Sequence, residues 1–166
     1  MQGLEKTERD GIVYYTEQSV IQSIDPPESF FGFGYWSHMI PPYKPERVLM
    51  LGCGGHTIPK LIEKVWGKFD LTCNEDDVAS LFVSDQRKAS QVFDYIIIDL
   101  FSGAEMPEIV YDEYFITNIY MIASKLVAVN TPMDTVIVQT YQMYGFHHVA
   151  TRGTEDNAIM FFKRKG

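Results

Sequence analysis

Three glycines, Gly52, Gly54 and Gly55, follow directly on the apolar run Val48-Leu-Met-Leu51. Residues without a Cβ let a backbone turn sharply and let a ligand approach it closely. Beyond them Ile58, Leu61, Ile62 and Val65 recur at i, i+3, i+4 and i+7, one face of a helix. Pro59 falls in that helix's first turn, where its missing N–H costs nothing. The free N–H groups and positive dipole end of such a helix suit a polar ligand. Glu75 stands 23 residues after Gly52, just past the strand-like Phe69–Cys73. An acid there accepts hydrogen bonds from a ribose diol, unless it belongs only to a solvated acidic turn. Asp85 and Asp99 are the further acids of this set. G-x-G-x-x-G would require glycine at 57, where Thr57 stands, so a nicotinamide cofactor is disfavoured.

The elements that must position these residues alternate. Val48–Leu51 predicts a strand buried on both faces, and Gly67 a C-cap for the helix that follows. Phe93-Asp-Tyr-Ile-Ile-Ile98 is the clearest strand and ends in Asp99. Leu81-Phe-Val83 is a further apolar snippet, but 77–92 is too short for two helices and a strand, so the sheet is abbreviated at this edge. Asp112 opens a helix striped with Phe115, Ile119, Ile122 and Leu126. Val127–Val129 suits a strand. Thr131-Pro132 reads as the start of another helix, though Val136–Val138 would also suit a strand. Phe146–Thr151 and Asn157–Phe162 form a last strand pair. This pattern predicts an α/β fold with a Rossmann-like, mostly parallel sheet and an antiparallel final strand. Ligands of such sheets bind at the carboxyl ends of the strands, where Gly52–Gly55, Glu75, Asp85 and Asp99 are expected together.

Residues 1–45 read as an N-terminal extension packing on a main unit of 46–166. Residues 1–10 look like a disordered lead. Ile12–Thr16 and Ser19–Ile24 suit a hairpin, and 28–40, with Phe30, Phe31, Phe33, Tyr35, Trp36 and Met39, an aromatic helix. That cluster suits core packing or contact with a second copy; it predicts a homodimer or higher homo-oligomer. Alternatively Tyr35 or Trp36 lines a ligand pocket.

Composition narrows the function classes. The 166 residues favour one domain, and 46% hydrophobic content supports a real core. A formal net charge of −8 repels phosphate backbones, which argues against nucleic acid as a partner. Cys53 and Cys73 are too few for a disulfide framework and suit reduced thiols. The four histidines lack metal-ligand spacing, so no metal is expected. The charged start excludes a signal peptide, and no apolar run approaches the ~18 residues of a membrane span. A cytoplasmic protein acting on a small molecule is expected.

The stretches Val48–Lys60, Phe93–Gly103 with Met106-Pro107 and Glu113–Phe115, and Asn157–Phe162 resemble the class I S-adenosylmethionine-dependent methyltransferases, within them the spermidine-synthase-like branch. The resemblance implies a seven-stranded sheet with a reversed last strand. It implies that Gly52, Gly54 and Gly55 approach the amino-acid end of S-adenosylmethionine, or of its decarboxylated form. Glu75, or Asn74, would take the ribose hydroxyls. Asp85 would meet the adenine amino group, and Asp99 the sulfonium and the acceptor, as base or orienting group. Tyr35 and Ser102 are weaker acceptor-side candidates. His56 replaces a glycine of that branch and would crowd or bind the cofactor's carboxylate. Ser102 replaces the second acid of the aminopropyltransferases, and the acids that hold a polyamine are missing near Phe31, Gly32 and Ser37. Methyl transfer therefore ranks above aminopropyl transfer. A non-catalytic module that keeps the fold is the third reading.

Overall fold

The computed structural model describes residues 5–25, 34–75, 79–101, 105–132, 135–153 and 157–166. The main sheet has six strands in the order β5-β4-β6-β7-β9-β8. They are β4 (Arg47–Leu51), β5 (Asp70–Asn74), β6 (Phe93–Ile98), β7 (Ala123–Thr131), β8 (Phe146–Gly153) and β9 (Ala158–Arg164). The first four pair in parallel, and β9 runs antiparallel to both its neighbours. The helices are α1 (Thr57–Trp66), α2 (Ala79–Lys88), α3 (Glu113–Ile122) and α4 (Thr135–Met143). A smaller antiparallel sheet precedes them, ordered β1 (Glu5–Arg9), β2 (Ile12–Glu17), β3 (Val20–Asp25).

β6 is buried along its whole length, as its largely apolar sequence requires of a central parallel strand; the one acid in it, Asp94, accepts from the Glu46 and Arg47 N–H groups. Its side chains divide the core. Phe93, Ile96 and Ile98 join Val83, Ile116, Ile119, Ile137 and Tyr141 from α2, α3 and α4 on one face. Tyr95 and Ile97 join Ile58, Leu61 and Ile62 of α1 on the other. There Ile24, Trp36 and Met39 of the N-terminal segment complete the layer. Each such fully buried side chain contributes about 1.5–3 kcal/mol of transfer free energy. Val65, expected on the apolar face of α1, is 47% exposed, because three residues already span the contact with the sheet.

Several expectations are corrected. Residues 5–9 are not a disordered lead but strand β1: its charged side chains are all exposed at a sheet edge, and in the sequence that resembles a polar tail. Leu81–Val83 is not a strand. It lies in α2, where Ala79 and Val83 face the core one helical turn apart and Leu81 faces solvent at 70%. Six strands thus form the main sheet among the described residues, against the seven that the resemblance implies. Leu126 belongs to β7, not to the stripe of the preceding helix, since α3 stops at Ile122 and the chain passes straight into the strand. Val136–Val138 is helical, in line with the helix reading of this stretch, but α4 opens at Thr135, and Thr131 belongs to β7 and does not cap it. Of the expected aromatic helix, a 3-10 turn at Trp36–Met39 is seen, with Trp36 and Met39 buried in this chain's own core; Phe30, Phe31 and Phe33 lie outside the described residues.

Cys53 and Cys73 are not free thiols but form a disulfide, with Cα atoms 6.0 Å apart. Twenty residues of sequence separate them, yet Gly52 N–H donates to the carbonyl of Asn74, so the glycine turn and the end of β5 are adjacent in space.

The N-terminal sheet docks on the glycine turn through Thr57. The Thr57 hydroxyl donates to the Ile24 carbonyl at 2.8 Å, accepts from the Ile24 N–H at 2.9 Å and contacts the Ser23 hydroxyl. A Cβ on Gly55 would meet the Ser23 side chain at 2.5–2.8 Å and Tyr15 at 2.9 Å, so this glycine admits β2 and β3. Thr57→Val keeps the shape and strips both partners from buried backbone groups, each costing about 1–3 kcal/mol. The variant is expected to lose about 2–3 kcal/mol of stability in urea denaturation; an unchanged midpoint would show that the sheet is held elsewhere.

Candidate functional site

The chain leaves β4 for β5 on one side and later returns to β6 on the other, so the sheet order reverses between β4 and β6. Such a switch point opens a crevice at the carboxyl ends of the two strands. Gly52 follows β4 there, and Asp99 follows β6, its N–H donating to the Leu51 carbonyl at 2.9 Å. Gly52 (φ +83°) and Gly54 (φ +47°) adopt positive φ, which side chains rarely tolerate, so both glycines are required by the turn itself. The disulfide ties Cys53, between them, to the end of β5, and the exposed Glu75 follows two residues after Cys73. Glycine turn, Glu75 and Asp99 therefore line up along three adjacent strand ends.

Asp99 is the centre of a polar network. Its Oδ2 accepts from the Tyr35 hydroxyl at 3.0 Å, and its Oδ1 from Asn130 Nδ2 at 2.8 Å. Asn130 Oδ1 in turn accepts from Asn157 Nδ2 at 2.8 Å. Asn130 ends near the top of β7 and Asn157 precedes β9, so three neighbouring strands and the N-terminal segment meet at one carboxylate. Burial pushes the Asp99 carboxyl up to about 6, against the opposing pull of the Asn130 and Tyr35 hydrogen bonds. Burial, and then the Asp99 charge, hold the Tyr35 hydroxyl well above its ordinary range, so it stays a proton donor to Asp99. A carboxylate that titrates near neutrality at a strand end can take a proton or balance a cation.

Tyr35 reaches this place because the segment after it is pinned. Arg152 of β8 donates to the carbonyls of His38 and Ile40, both at 3.1 Å, while its guanidinium lies over the Phe161 ring. The Tyr95 hydroxyl donates to the Met39 carbonyl, Trp66 Nε1 to the Pro41 carbonyl at 3.0 Å, and the Tyr43 hydroxyl to the backbone carbonyl of Asp94 at 2.6 Å. Tyr35 also packs its ring against Trp36, with centroids 5.2 Å apart.

The other residues singled out in the sequence fare differently. Asp85 does not stand at a strand end: it is on the exposed side of α2, paired with Lys88 at 3.3 Å, because the segment expected to close the sheet is helical. His56 adopts a left-handed conformation (φ +63°) as the residue before α1. It lines a cavity of about 350 Å³ with Pro59, Lys60, Glu63, Lys68, Phe69 and Leu71, between α1 and the edge at β5. Ser102 lies outside the described residues. Asn130 and Asn157 were missed in the sequence, since lone asparagines in β-rich stretches carry no spacing signal. Among the described residues no cluster of metal-ligating side chains occurs, and no helix is long and apolar enough to cross a membrane.

No family model matches the sequence, and no curated protein matches it. Solved structures do. Human methyltransferase-like protein 13, in complex with S-adenosylhomocysteine, aligns with a TM-score of 0.59 at 16% identity over 70% of this chain and 71% of its own. A spermidine synthase in complex with the transition-state analogue AdoDATO aligns at 0.53 and 13% identity over 98% of this chain and 73% of its own. Phosphoethanolamine N-methyltransferase 2 of Haemonchus contortus, in complex with phosphomonomethylethanolamine and S-adenosylhomocysteine, aligns at 0.51 and 15% identity. This chain covers 36% of that enzyme's length. The fold is thus that of the class I methyltransferases, with one edge strand fewer among the described residues than the seven implied by the sequence resemblance.

Proposed function

We propose that this chain is an S-adenosylmethionine-dependent methyltransferase acting on a small acceptor. The observation that carries the proposal is the half-buried Asp99 at the switch point, held from both sides by Tyr35 and Asn130. Gly52 and Gly54 would receive the amino-acid end of the cofactor, and Glu75 its ribose hydroxyls. Bound there, the cofactor supplies a methyl carbon already activated by its sulfonium. The chain's own work is then to position, to exclude water and to manage one proton. Tyr35 and Asn130 fix the Asp99 carboxylate so that its remaining lone pairs face the acceptor. Asp99 orients the acceptor's N–H or O–H and accepts its proton as the new bond forms. Asp85, on the outer face of α2, leaves the adenine contact to other residues.

The likeness to the spermidine synthase, which extends over the N-terminal sheet, favours one alternative: aminopropyl transfer from decarboxylated S-adenosylmethionine. A product assay with putrescine separates the two. S-adenosylhomocysteine supports methyl transfer, and 5′-methylthioadenosine supports the alternative. Calorimetry with S-adenosylmethionine, S-adenosylhomocysteine and methylthioadenosine tests both, and no heat with any of them would leave a non-catalytic module.

The Asp99 carboxyl near 6 sets a pH dependence. A base must be deprotonated, so kcat/KM is expected to fall about tenfold per pH unit below about 6. A bound sulfonium favours the carboxylate, so the acid limb of kcat should lie at lower pH than that of kcat/KM. Coincident limbs would separate Asp99 from the cation.

A further inference from the structure

The outer strand of the N-terminal sheet carries a pattern that matches itself. β1 reads Glu5-Lys6-Thr7-Glu8-Arg9, is the edge of its sheet and is exposed at every residue. We propose that β1 pairs antiparallel with β1 of a second copy about a two-fold axis at Thr7, joining two three-stranded sheets into one of six strands. The proposal is independent of the methyltransferase reading.

The hairpin turn fixes which backbone groups are available. Asp10 (φ +53°) and Gly11 (φ +77°) form a two-residue loop with both residues at positive φ, flanked by the pair Arg9 and Ile12. A loop of this kind closes on a pair that exchanges both hydrogen bonds. Alternation then gives the same status to Thr7 with Tyr14 and to Glu5 with Thr16. The N–H and C=O of Lys6 and Glu8 therefore point away from β2, along the open edge.

A second β1 can meet those groups in three registers: Lys6 opposite Lys6, Glu8 opposite Glu8, or Lys6 opposite Glu8. The first two set like charges directly against each other, which is unfavourable. The third sets Lys6 against Glu8 twice on one face and Glu5 against Arg9 twice on the other. Thr7 meets its own copy on the axis. Lys6 and Glu8 exchange both backbone hydrogen bonds at each of the two symmetric sites, four bonds in all. An isologous contact needs this self-complementarity. Short strands and charged side chains commonly blunt an edge; on β1 the charges alternate in sign, so in this one register they attract a second copy where the other two registers repel it. The aromatic stretch expected to join copies is not needed: Trp36 and Met39 are spent in the chain's own core.

The test is sedimentation of the full chain by analytical ultracentrifugation, with far-UV circular dichroism as a control for folding. A dimer is expected at tens of micromolar. Lys6→Glu sets glutamate against Glu8 at both sites and should raise the dimer dissociation constant tenfold or more. Adding Glu8→Lys to the same chain restores the opposite charges and should return the constant to within a few-fold of the original. Thr7→Cys places two thiols on the axis and should yield a cross-linked dimer on oxidation with diamide. A chain that stays monomeric at tens of micromolar overturns the proposal. A dimer indifferent to Lys6→Glu, or one that the double exchange fails to restore, overturns it as well, since the copies would then meet through another face.

Discussion

Asp99→Asn is expected to lower kcat by on the order of 10²-fold or more while changing cofactor affinity only a few-fold, the loss associated with a missing general base. The substitution keeps the shape of the side chain and can still accept from Tyr35 or Asn130. What it loses is the charge. In the proposed transfer the sulfonium loses its charge and the acceptor gains it. A fixed carboxylate that follows this shift stabilises the transition state more than the ground state. Stability gives an independent readout of opposite sign. The folded Asp99 holds its proton up to about 6, against 3.8 for an ordinary aspartate. Between these values the folded state binds more protons than the unfolded, so this group's contribution to stability is present below about 4 and is lost as pH rises through 6. The asparagine variant lacks that slope and is expected to melt no lower than the parent at pH 7. A variant with full kcat and a lowered melting temperature would make Asp99 a structural group of the strand end, and the catalytic assignment would fall.

Gly54→Val should weaken S-adenosylhomocysteine binding by on the order of 10²-fold, about 2.7 kcal/mol. Two effects act together. A branched side chain would stand in the turn that the ligand must approach, and the φ of +47° at this position disfavours any Cβ by roughly 1–2 kcal/mol. Gly54→Asn separates them, because asparagine accepts the left-handed region while still adding a side chain. The asparagine variant should melt close to the parent and still bind the ligand at least tenfold more weakly, measured by calorimetry. Parental affinity in both variants would remove the glycine turn from the site. Gly55 makes a useful contrast, since its bareness serves the contact with Ser23 and Tyr15. Gly55→Ala should therefore loosen the N-terminal sheet before it affects the ligand.

By itself the sequence determined what depends on near neighbours in the chain. The apolar run of β6 ending in Asp99, the glycine turn after β4, the striped face of α1 and the cap at Asp112, which accepts from the Phe115 N–H at 2.8 Å, are all local features. Together they sufficed for the α/β class, the reversed β9 and the place of Gly52, Gly54, Glu75 and Asp99 along the strand ends. Only the tertiary structure decided what depends on distant residues meeting. The α2 segment is helical because Ala79 and Val83 find a core to face, which its composition did not announce. Cys53 and Cys73 are bridged because parallel pairing brings the end of β5 beside the glycine turn. Thr57, which spoils a dinucleotide fingerprint, is explained by Ile24, 33 residues earlier. Asn130 becomes a partner of Asp99, and Asn157 of Asn130, only once β6, β7 and β9 lie side by side. Local periodicity reports which face of an element is apolar; it carries no record of which other element will cover that face, and the polar contacts of this site are all made across such junctions.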